Sequence, residues 1–150
     1  MEKDIVNNSS ERKIYEFYIF ARNGAQIFLL DNTSITEKKK MNRTKLLMGL
    51  LWSLKSFSTL IAPPDLQKSQ EVKSFTTKTY KMHMYESLTG YRFVIISTPN
   101  FSNLNEQLKK LYNDIFIPHV CKNSFYSFGS PIKSLLFKNE VELFVASLLK

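Results

Sequence analysis

The sequence predicts an α+β fold in which one antiparallel sheet of five strands separates a long helix from two further helices. Three observations lead to this architecture. The hydrophobic patterns follow one another as strand, strand, long helix, three strands and two helices (β-β-α-β-β-β-α-α). Tight-turn sequences join neighbouring strands, which makes those pairs antiparallel. Two strands are apolar at successive positions, so both faces of the sheet require a covering of helices.

A single folded domain is expected from the size of the chain. It has 150 residues, of which 43% are hydrophobic, which is enough for one core and too short for two ordinary domains. Residues 1–12 are polar and are predicted to form a flexible N-terminal extension, whereas residues 13–150 form the domain.

The first two strands form a predicted hairpin. Ile14–Phe20 is rich in aromatic and β-branched residues, and apolar side chains at both parities predict a strand covered on both faces. Asn23-Gly24 tolerates the positive φ angles of a two-residue turn. Gln26–Leu30 then returns as the second strand, and Asp31–Lys40 is a polar connection to the long helix.

The long helix is predicted over Met41–Ile61 and ends before Pro63-Pro64, because proline cannot donate to the helical ladder. Its apolar stripe recurs at steps of three and four residues: Leu47, Leu50, Leu51, Leu54, Phe57 and Ile61. Leu46, Met48 and Trp52 add apolar surface outside that stripe, which a helix with one wet face does not need. One interpretation is that part of the outer face meets a second protein; the other is that a wide core encloses Met48 and Trp52.

Three more strands and a loop at Asp65–Gln70 are expected after the helix. Val72–Thr77 and Thr79–Glu86 are strands, and alternating polar side chains in the second predict that only one of its faces is covered. A turn at Ser87–Gly90 leads to Tyr91–Thr98, whose apolar run predicts a central strand.

Two helices complete the chain. Ser102 is predicted to cap the first, which should kink or end at Pro118, and Ser130-Pro131 is predicted to begin the second. Their apolar positions are Leu104, Leu108, Leu111, Tyr112, Ile115 and Phe116 in the first helix, and Leu136, Val141, Phe144, Val145 and Leu148 in the second.

The composition limits the classes of partner. The formal net charge of +8 suits an acidic protein, an anionic membrane surface or nucleic acid, without choosing among them. The single cysteine rules out a disulfide within the chain and favours a reducing compartment. Since the sequence shows neither a signal peptide nor an apolar stretch of roughly 20 residues, a soluble intracellular domain is expected.

The residues that could carry chemistry do not form a recognisable set. His119 precedes Cys121 by two positions and His83 lies far away, which does not complete a metal site. Cys121 ends an apolar helix, which favours a packed thiol over a nucleophile. The four glycines are dispersed and form no phosphate-binding loop. The sequence therefore predicts no catalytic activity, no metal and no cofactor.

Three segments, in the same order, resemble the subunit 1 family of the TRAPP (transport protein particle) complex, which has a longin-like (profilin-like) fold. Tyr18–Gly24 is similar to the opening strand and turn of that family. Lys45–Phe57 resembles its first helix, and Phe75–Gly90 its middle strands and hairpin. The similarity runs from about Lys13 to the C-terminus.

The resemblance implies a core subunit of a vesicle-tethering complex in endoplasmic-reticulum-to-Golgi transport. Such a subunit would be cytoplasmic and peripheral on those membranes, would bind other TRAPP subunits, and would help the assembled complex exchange nucleotide on a Rab-type GTPase. No nucleic acid and no cofactor are expected. We expect Met48, Trp52 and Lys55 near a partner contact, with Arg22 and Asn23 at its rim.

Three alternatives stay open at this point. The same fold serves SNARE longin domains, whose heptad repeats and anchor are not found here, and the small subunits of clathrin-adaptor complexes. A basic nucleic-acid-binding domain is supported by the charge alone, and its binding would fall steeply with salt. A basic face could also rest on anionic lipid.

Overall fold

The computed structural model describes residues 11–32, 37–65 and 72–149. Residues 1–10 of the extension predicted over residues 1–12, the middle of the predicted connection at residues 33–36 and most of the predicted loop at residues 66–70 lie outside this part. The elements are β1 (Ile14–Phe20), β2 (Gln26–Asp31), α1 (Glu37–Ile61), β3 (Ser74–Thr76), β4 (Lys81–Glu86), β5 (Arg92–Ser97), α2 (Asn105–Leu111), a π-helical segment (Tyr112–Cys121) that continues α2, and α3 (Leu135–Leu148).

The five strands form one antiparallel sheet in the order β2-β1-β5-β4-β3. Gly24 and Gly90 supply the positive φ angles, 89° and 94°, that the turns after β1 and β4 require. Because Phe20 pairs with Arg92 across β1 and β5, both turns lie at the same end of the sheet. We call this end the turn end.

Each face of the sheet is covered by its own hydrophobic layer, which confirms the predicted fold class. Helix α1 packs on one face, in a cluster of Tyr18, Phe20, Leu47, Leu51, Met82, Met84 and Val94. Helices α2 and α3 pack on the other face, around fully buried rings that include Phe17, Phe93, Phe116 and Phe137. Alternate residues of β1 and β5 serve the two layers, as the strand period requires.

The prediction of a half-covered strand at Thr79–Glu86 was wrong. In β4 both Met82 and His83 are completely buried, because α2 covers the face that the polar residues share. The His83 ring is held there by two hydrogen bonds. The N–H of Leu104 donates to its Nδ1 atom at 3.2 Å, and its Nε2 atom therefore donates to Ser97 Oγ at 2.9 Å.

Three helix starts differ from the predictions. Helix α1 begins at Glu37, before the predicted start at Met41. The glutamate and the lysines at the end of the predicted connection are good helix formers and continue the helix. Helix α2 begins at Asn105 without a side-chain cap from Ser102. The cap of α3 is Ser134, not Ser130, and its Oγ accepts a hydrogen bond from the N–H of Phe137 at 3.3 Å.

Of the two predicted effects of Pro118, a kink or an end of the helix, the structure excludes the end. The chain winds through it to Cys121 with wider, π-helical turns. The N–H of Lys122 donates to the Ile117 carbonyl, five residues back, at 3.0 Å. A side chain adds a further bond, because His119 Nδ1 donates to the Ile115 carbonyl at 2.9 Å. A wider turn is one way to accommodate a residue that lacks an N–H.

Three residues assigned to apolar stripes are exposed: Phe57, Ile61 and Leu136. Helix α1 has 25 residues and is about 37 Å long, whereas five strands at a spacing of about 4.8 Å span about 19 Å. The sheet therefore cannot cover the whole stripe, and Phe57 and Ile61 extend beyond it. On α3, the residue that faces the core is Phe137, one position after Leu136.

Candidate interaction surface

The outer side of α1 carries more exposed apolar area than a solvated helix needs. Trp52 is 67% exposed, and Met41, Leu46, Phe57, Leu60 and Ile61 are also exposed. Trp52 is therefore not enclosed by a wide core, and of the two interpretations the structure supports exposed apolar surface on α1. Clustered exposed apolar residues rimmed by polar groups are typical of interaction sites.

One flank of α1 carries the three helix residues that the sequence singled out. Met48, Trp52 and Lys55 follow one another at steps of four and three residues, so they share a flank. This flank faces the turn end. The Met48 methyl group packs over Gly24, where an added Cβ would lie 3.3 Å from it, and Lys55 Nζ is 3.3 Å from the Glu86 carboxylate.

The two turns bring Arg22 and Asn23 to the same end. The Arg22 side chain lies directly against Gly90, where an added Cβ would be 2.9 Å from its Cγ. Asn23 is exposed, and its side-chain oxygen accepts a hydrogen bond from the N–H of Ala25 at 3.0 Å. All five predicted residues thus lie at one end of the molecule. We call Arg22, Asn23, Met48, Trp52 and Lys55 the turn-end surface.

Charge is mixed around this surface. Glu86 has two cations near its carboxylate, since Lys55 Nζ is 3.3 Å and Arg92 Nε 3.9 Å from it. These groups are partly exposed, so each pair contributes at most about 1 kcal/mol to stability. The turn-end surface thus combines the apolar ring of Trp52 with polar side chains of net positive charge around it, which suits contact with another protein.

The sequence did not predict the second exposed flank of α1. Leu46, Phe57 and Ile61 lie on this flank, and beside Leu46 is a groove of about 470 Å³ that Tyr15 and Tyr80 also line. The groove lies at the other end of the strands from the turns. The available signal in the sequence is Leu46, which adds apolar surface outside the predicted stripe, whereas the helical spacing places Phe57 and Ile61 in the stripe itself.

A buried polar cluster holds the first half of α1 on the sheet. Glu16 is 1% exposed, forms an ion pair with Arg43 and accepts a hydrogen bond from the Tyr18 hydroxyl. Burial and the Glu16 carboxylate raise the pKa of Tyr18, so its hydroxyl stays protonated and donates. The cluster fixes the position of α1, and with it the position of the exposed flanks.

The three residues considered for chemistry are not brought together into a site. His83 lies under α2 in hydrogen bonds already described, and burial followed by the charge of Lys81 lowers its pKa to about 4. The Cys121 side chain is exposed, contrary to the predicted packed thiol, although partial burial raises the pKa of the thiol. In residues 11–32, 37–65 and 72–149, no three side chains of the metal-binding types gather.

In that part of the chain, no helix combines the length and apolar character needed to cross a membrane.

The fold and the surface together define an α+β domain with an exposed apolar helix suited to protein contact. Residues 14–148 match the model of the Sybindin-like family, and the chain belongs to that family. The match confirms the resemblance drawn from the three sequence segments.

Curated relatives are subunits of one complex. The chain is 37% identical to trafficking protein particle complex subunit 1 of Dictyostelium discoideum over 133 residues, which cover 88% of this chain and 94% of the relative. Subunit 1 of Homo sapiens is 29% identical over 140 residues, covering 90% and 93%. Subunit 4 of Homo sapiens is 31% identical over 102 residues, covering 68% of this chain and 45% of that protein.

Proposed function

We propose that this chain is a core, non-catalytic subunit of a TRAPP-type vesicle-tethering complex. Curated relatives that carry the name of that complex match this chain over most of their length. The observation that carries the proposal is the exposure of Trp52 on a helix whose opposite side packs on its own sheet. A tryptophan in this position loses its contact with water when a partner covers it, which makes it a candidate anchor of the interface.

The role within the complex is that of a scaffold that also contributes surface to a Rab-type GTPase. Nucleotide exchange needs no reacting side chain in such a subunit. It needs a surface that binds the nucleotide-free GTPase better than the nucleotide-bound form, because only this difference in affinity shifts the equilibrium. The mixed charge around Glu86 and the apolar flank of α1 are the surfaces available for such contacts.

The first experiment tests membership of the complex. The full chain, tagged and expressed in its own cells, is isolated by affinity, and co-purifying proteins are identified by mass spectrometry. We expect other TRAPP-type subunits with the wild type and a marked loss of at least one of them with Trp52→Ser. Leu143→Ser is the matched control, since Leu143 is also 67% exposed but lies on α3, on the other face of the sheet. Recovery of no such subunits with the wild type would refute the proposal.

A second experiment tests the contribution to nucleotide exchange. Release of a fluorescent GDP analogue from candidate Rab-type GTPases is followed with the isolated complex. We expect acceleration by the wild-type complex and a slower rate when the complex carries Arg22→Ala and Lys55→Ala together. An unchanged rate with this double variant would remove the turn-end surface from the GTPase contact.

We also propose that the complex acts on the cytoplasmic side of the endoplasmic reticulum and Golgi, where its basic charge contacts anionic lipid. Fluorescence microscopy of the tagged chain tests the location. Flotation of the isolated complex with liposomes tests the contact: binding should be stronger to vesicles with anionic lipid than to neutral ones. Equal binding to both would exclude an electrostatic membrane contact.

A further inference from the structure

The loop between the π-helical segment and α3 carries a sequence pattern that the proposed interface does not use. In Ser130-Pro131-Ile132-Lys133, a hydroxyl stands directly before a proline, and a lysine follows that hydroxyl by three residues. The sequence predicts that Ser130 caps α3, but Ser134 is the cap, so the Ser130 hydroxyl has no role in the helix. Proline-directed protein kinases recognise this pattern, because proline has no N–H to leave without an acceptor in their binding cleft, and the lysine adds a charged contact.

The structure leaves the hydroxyl accessible to an enzyme. Pro131 and Lys133 are exposed, and residues 131–134 form neither helix nor strand. The Ser130 hydroxyl lies at the surface and donates to the Ser127 carbonyl at 2.5 Å, within the same loop. An acceptor residue in an irregular surface segment can adopt the conformation that a kinase cleft requires.

Binding to a kinase needs only a local opening of this loop. The N–H of Ile132 donates to the Ile27 carbonyl at 2.8 Å, and the Tyr126 hydroxyl donates to the Ser130 carbonyl at 2.7 Å. Neither bond belongs to the register of pairs that joins β1 and β2. The loop can therefore open while the strand pairing of the sheet stays in place.

A second hydroxyl that precedes a proline provides an internal comparison. Thr98 stands before Pro99, but the position three residues after it is Phe101, which carries no charge. The Thr98 Oγ1 atom accepts a hydrogen bond from the N–H of Lys13 at 3.1 Å and donates to Asn100 Oδ1 at 2.6 Å. The N–H of Thr98 also donates to the Lys13 carbonyl at 2.9 Å. An enzyme would have to separate paired backbone beside the central strands to reach this threonine.

The surroundings of Ser130 suit a phosphate group. Ser130 lines a surface cavity of about 430 Å³ together with the hydroxyl residues Ser127 and Ser134 and the basic residues Lys133 and His119. Among the described residues that line this cavity, none is a carboxylate. A phosphoserine brings a charge of about −1.5 to −2 at neutral pH and three acceptor oxygens, which lysine, histidine and hydroxyl donors can satisfy.

We propose that Ser130 is a phosphorylation site for a proline-directed protein kinase, and that Lys133 and His119 hold the phosphate in this cavity. The Ser130 Oγ atom forms a bond to the γ-phosphorus of ATP, and the bond from that phosphorus to the bridging oxygen of the leaving ADP breaks. The hydroxyl proton passes to the catalytic aspartate of the kinase. The product has no hydrogen on Oγ to donate to the Ser127 carbonyl, so the phosphate turns from that carbonyl towards the basic side chains. The site does not depend on the function proposed above.

The first test maps phosphate on the full chain isolated from its own cells after treatment with phosphatase inhibitors. Mass spectrometry should find phosphate on Ser130 and none on Thr98. Pro131→Ala should lower the occupancy at least tenfold, whereas Ile132→Val, the matched control, should leave it unchanged. Circular dichroism checks that Pro131→Ala is folded, and Lys133→Ala, which should lower the occupancy severalfold, serves as a second variant. A wild-type chain without phosphate on Ser130 would overturn the proposal, and undiminished phosphate in Pro131→Ala would overturn the class of kinase.

The second test examines how the phosphate is held. The purified full chain is phosphorylated with a proline-directed kinase and ATP, and its phosphorus NMR signal is followed through a pH titration. The second pKa of the phosphate should be about half a unit lower in the folded chain than in the same chain unfolded in urea, because nearby cations favour the dianion. His119→Gln should reduce this difference, and Lys38→Gln on α1 should leave it unchanged. Equal values in the folded and unfolded chain would overturn the role of the cavity.

Discussion

The two helical layers of this domain differ in how densely their buried aromatic rings contact one another. On the α2 and α3 side, Phe116 is fully buried and contacts four rings, Tyr91, Phe93, Tyr112 and Phe137, at centroid distances of 4.8 to 6.3 Å. On the α1 side, Phe20 is also fully buried but stacks on one ring, that of Tyr18. The first layer therefore has the denser aromatic core, while both layers also expose apolar residues, such as Leu143 on α3 and Trp52 on α1.

The number of helices explains the difference. The π-helical segment that continues α2 packs on α3 as well as on the sheet, so each provides part of the other's cover. Among the residues that the structure describes, helix α1 is the one helix on its face, and a helix about 10 Å wide cannot bury residues on both of its flanks. A lone helix on a five-stranded sheet therefore leaves exposed flanks, and in this chain those flanks are apolar.

The largest expected effect tests the contrast directly. Phe116→Ala should lower the free energy of unfolding by about 4 kcal/mol, and Phe20→Ala by about 3 kcal/mol, because the same truncation loses more ring contacts in the aromatic layer. Urea unfolding followed by circular dichroism gives both values. A larger loss for Phe20→Ala would show that the α1 layer carries the greater share of stability.

The second prediction concerns pH and His83. Its pKa is lowered to about 4 in the fold, against about 6.5 in the unfolded chain, so the unfolded chain binds the extra proton between these values. Its contribution to stability is complete above pH 6.5 and is lost as the pH falls towards 4, with a slope of up to about 1.4 kcal/mol per pH unit. Urea unfolding at several pH values measures the slope. It should be shallower in His83→Gln, and identical slopes would mean that His83 becomes protonated without leaving its site.

The third prediction concerns the buried anchor of α1. Glu16→Gln should lower the free energy of unfolding by about 1–2 kcal/mol, because it removes the charge that pairs with Arg43. Two features limit the loss. Arg43 is partly exposed, so water screens its charge. Asp31 lies opposite Glu16 in the strand register, so the substitution also removes the repulsion between two carboxylates. Chemical unfolding gives the value, with Glu106→Gln on the exposed side of α2 as control. No loss relative to that control would mean that the buried pair does not stabilise α1.

The smallest effect is expected at the centre of the turn-end surface. Trp52→Ser should change the free energy of unfolding by no more than about 0.5 kcal/mol, since the ring is mostly in water in the isolated chain. Thermal or urea unfolding of the purified variant provides the measurement. A loss of several kcal/mol would show that Trp52 belongs to the core and would weaken its assignment to an interface.

The candidate surface was only partly predictable from the sequence. Met48, Trp52 and Lys55 could be placed on one flank because helical spacing alone decides which residues share a flank. That Arg22 and Asn23 lie beside them follows from the packing of Met48 over Gly24 in the turn after β1, a contact that only the folded chain shows. The cavity that Ser130 lines could not be predicted, because its walls come from the π-helical segment, the loop after it and the start of α3, which meet only in the folded chain.

Local patterns in the sequence determined the element order, the turn glycines and the antiparallel hairpin pairs, because these depend on residues that are neighbours along the chain. The tertiary structure decided which polar side chains are enclosed and which apolar ones are not. His83 is buried because α2 covers its face of β4, and Phe57 is exposed because α1 is longer than the sheet is wide. Burial depends on what lies across from a residue, and that partner comes from a distant part of the chain.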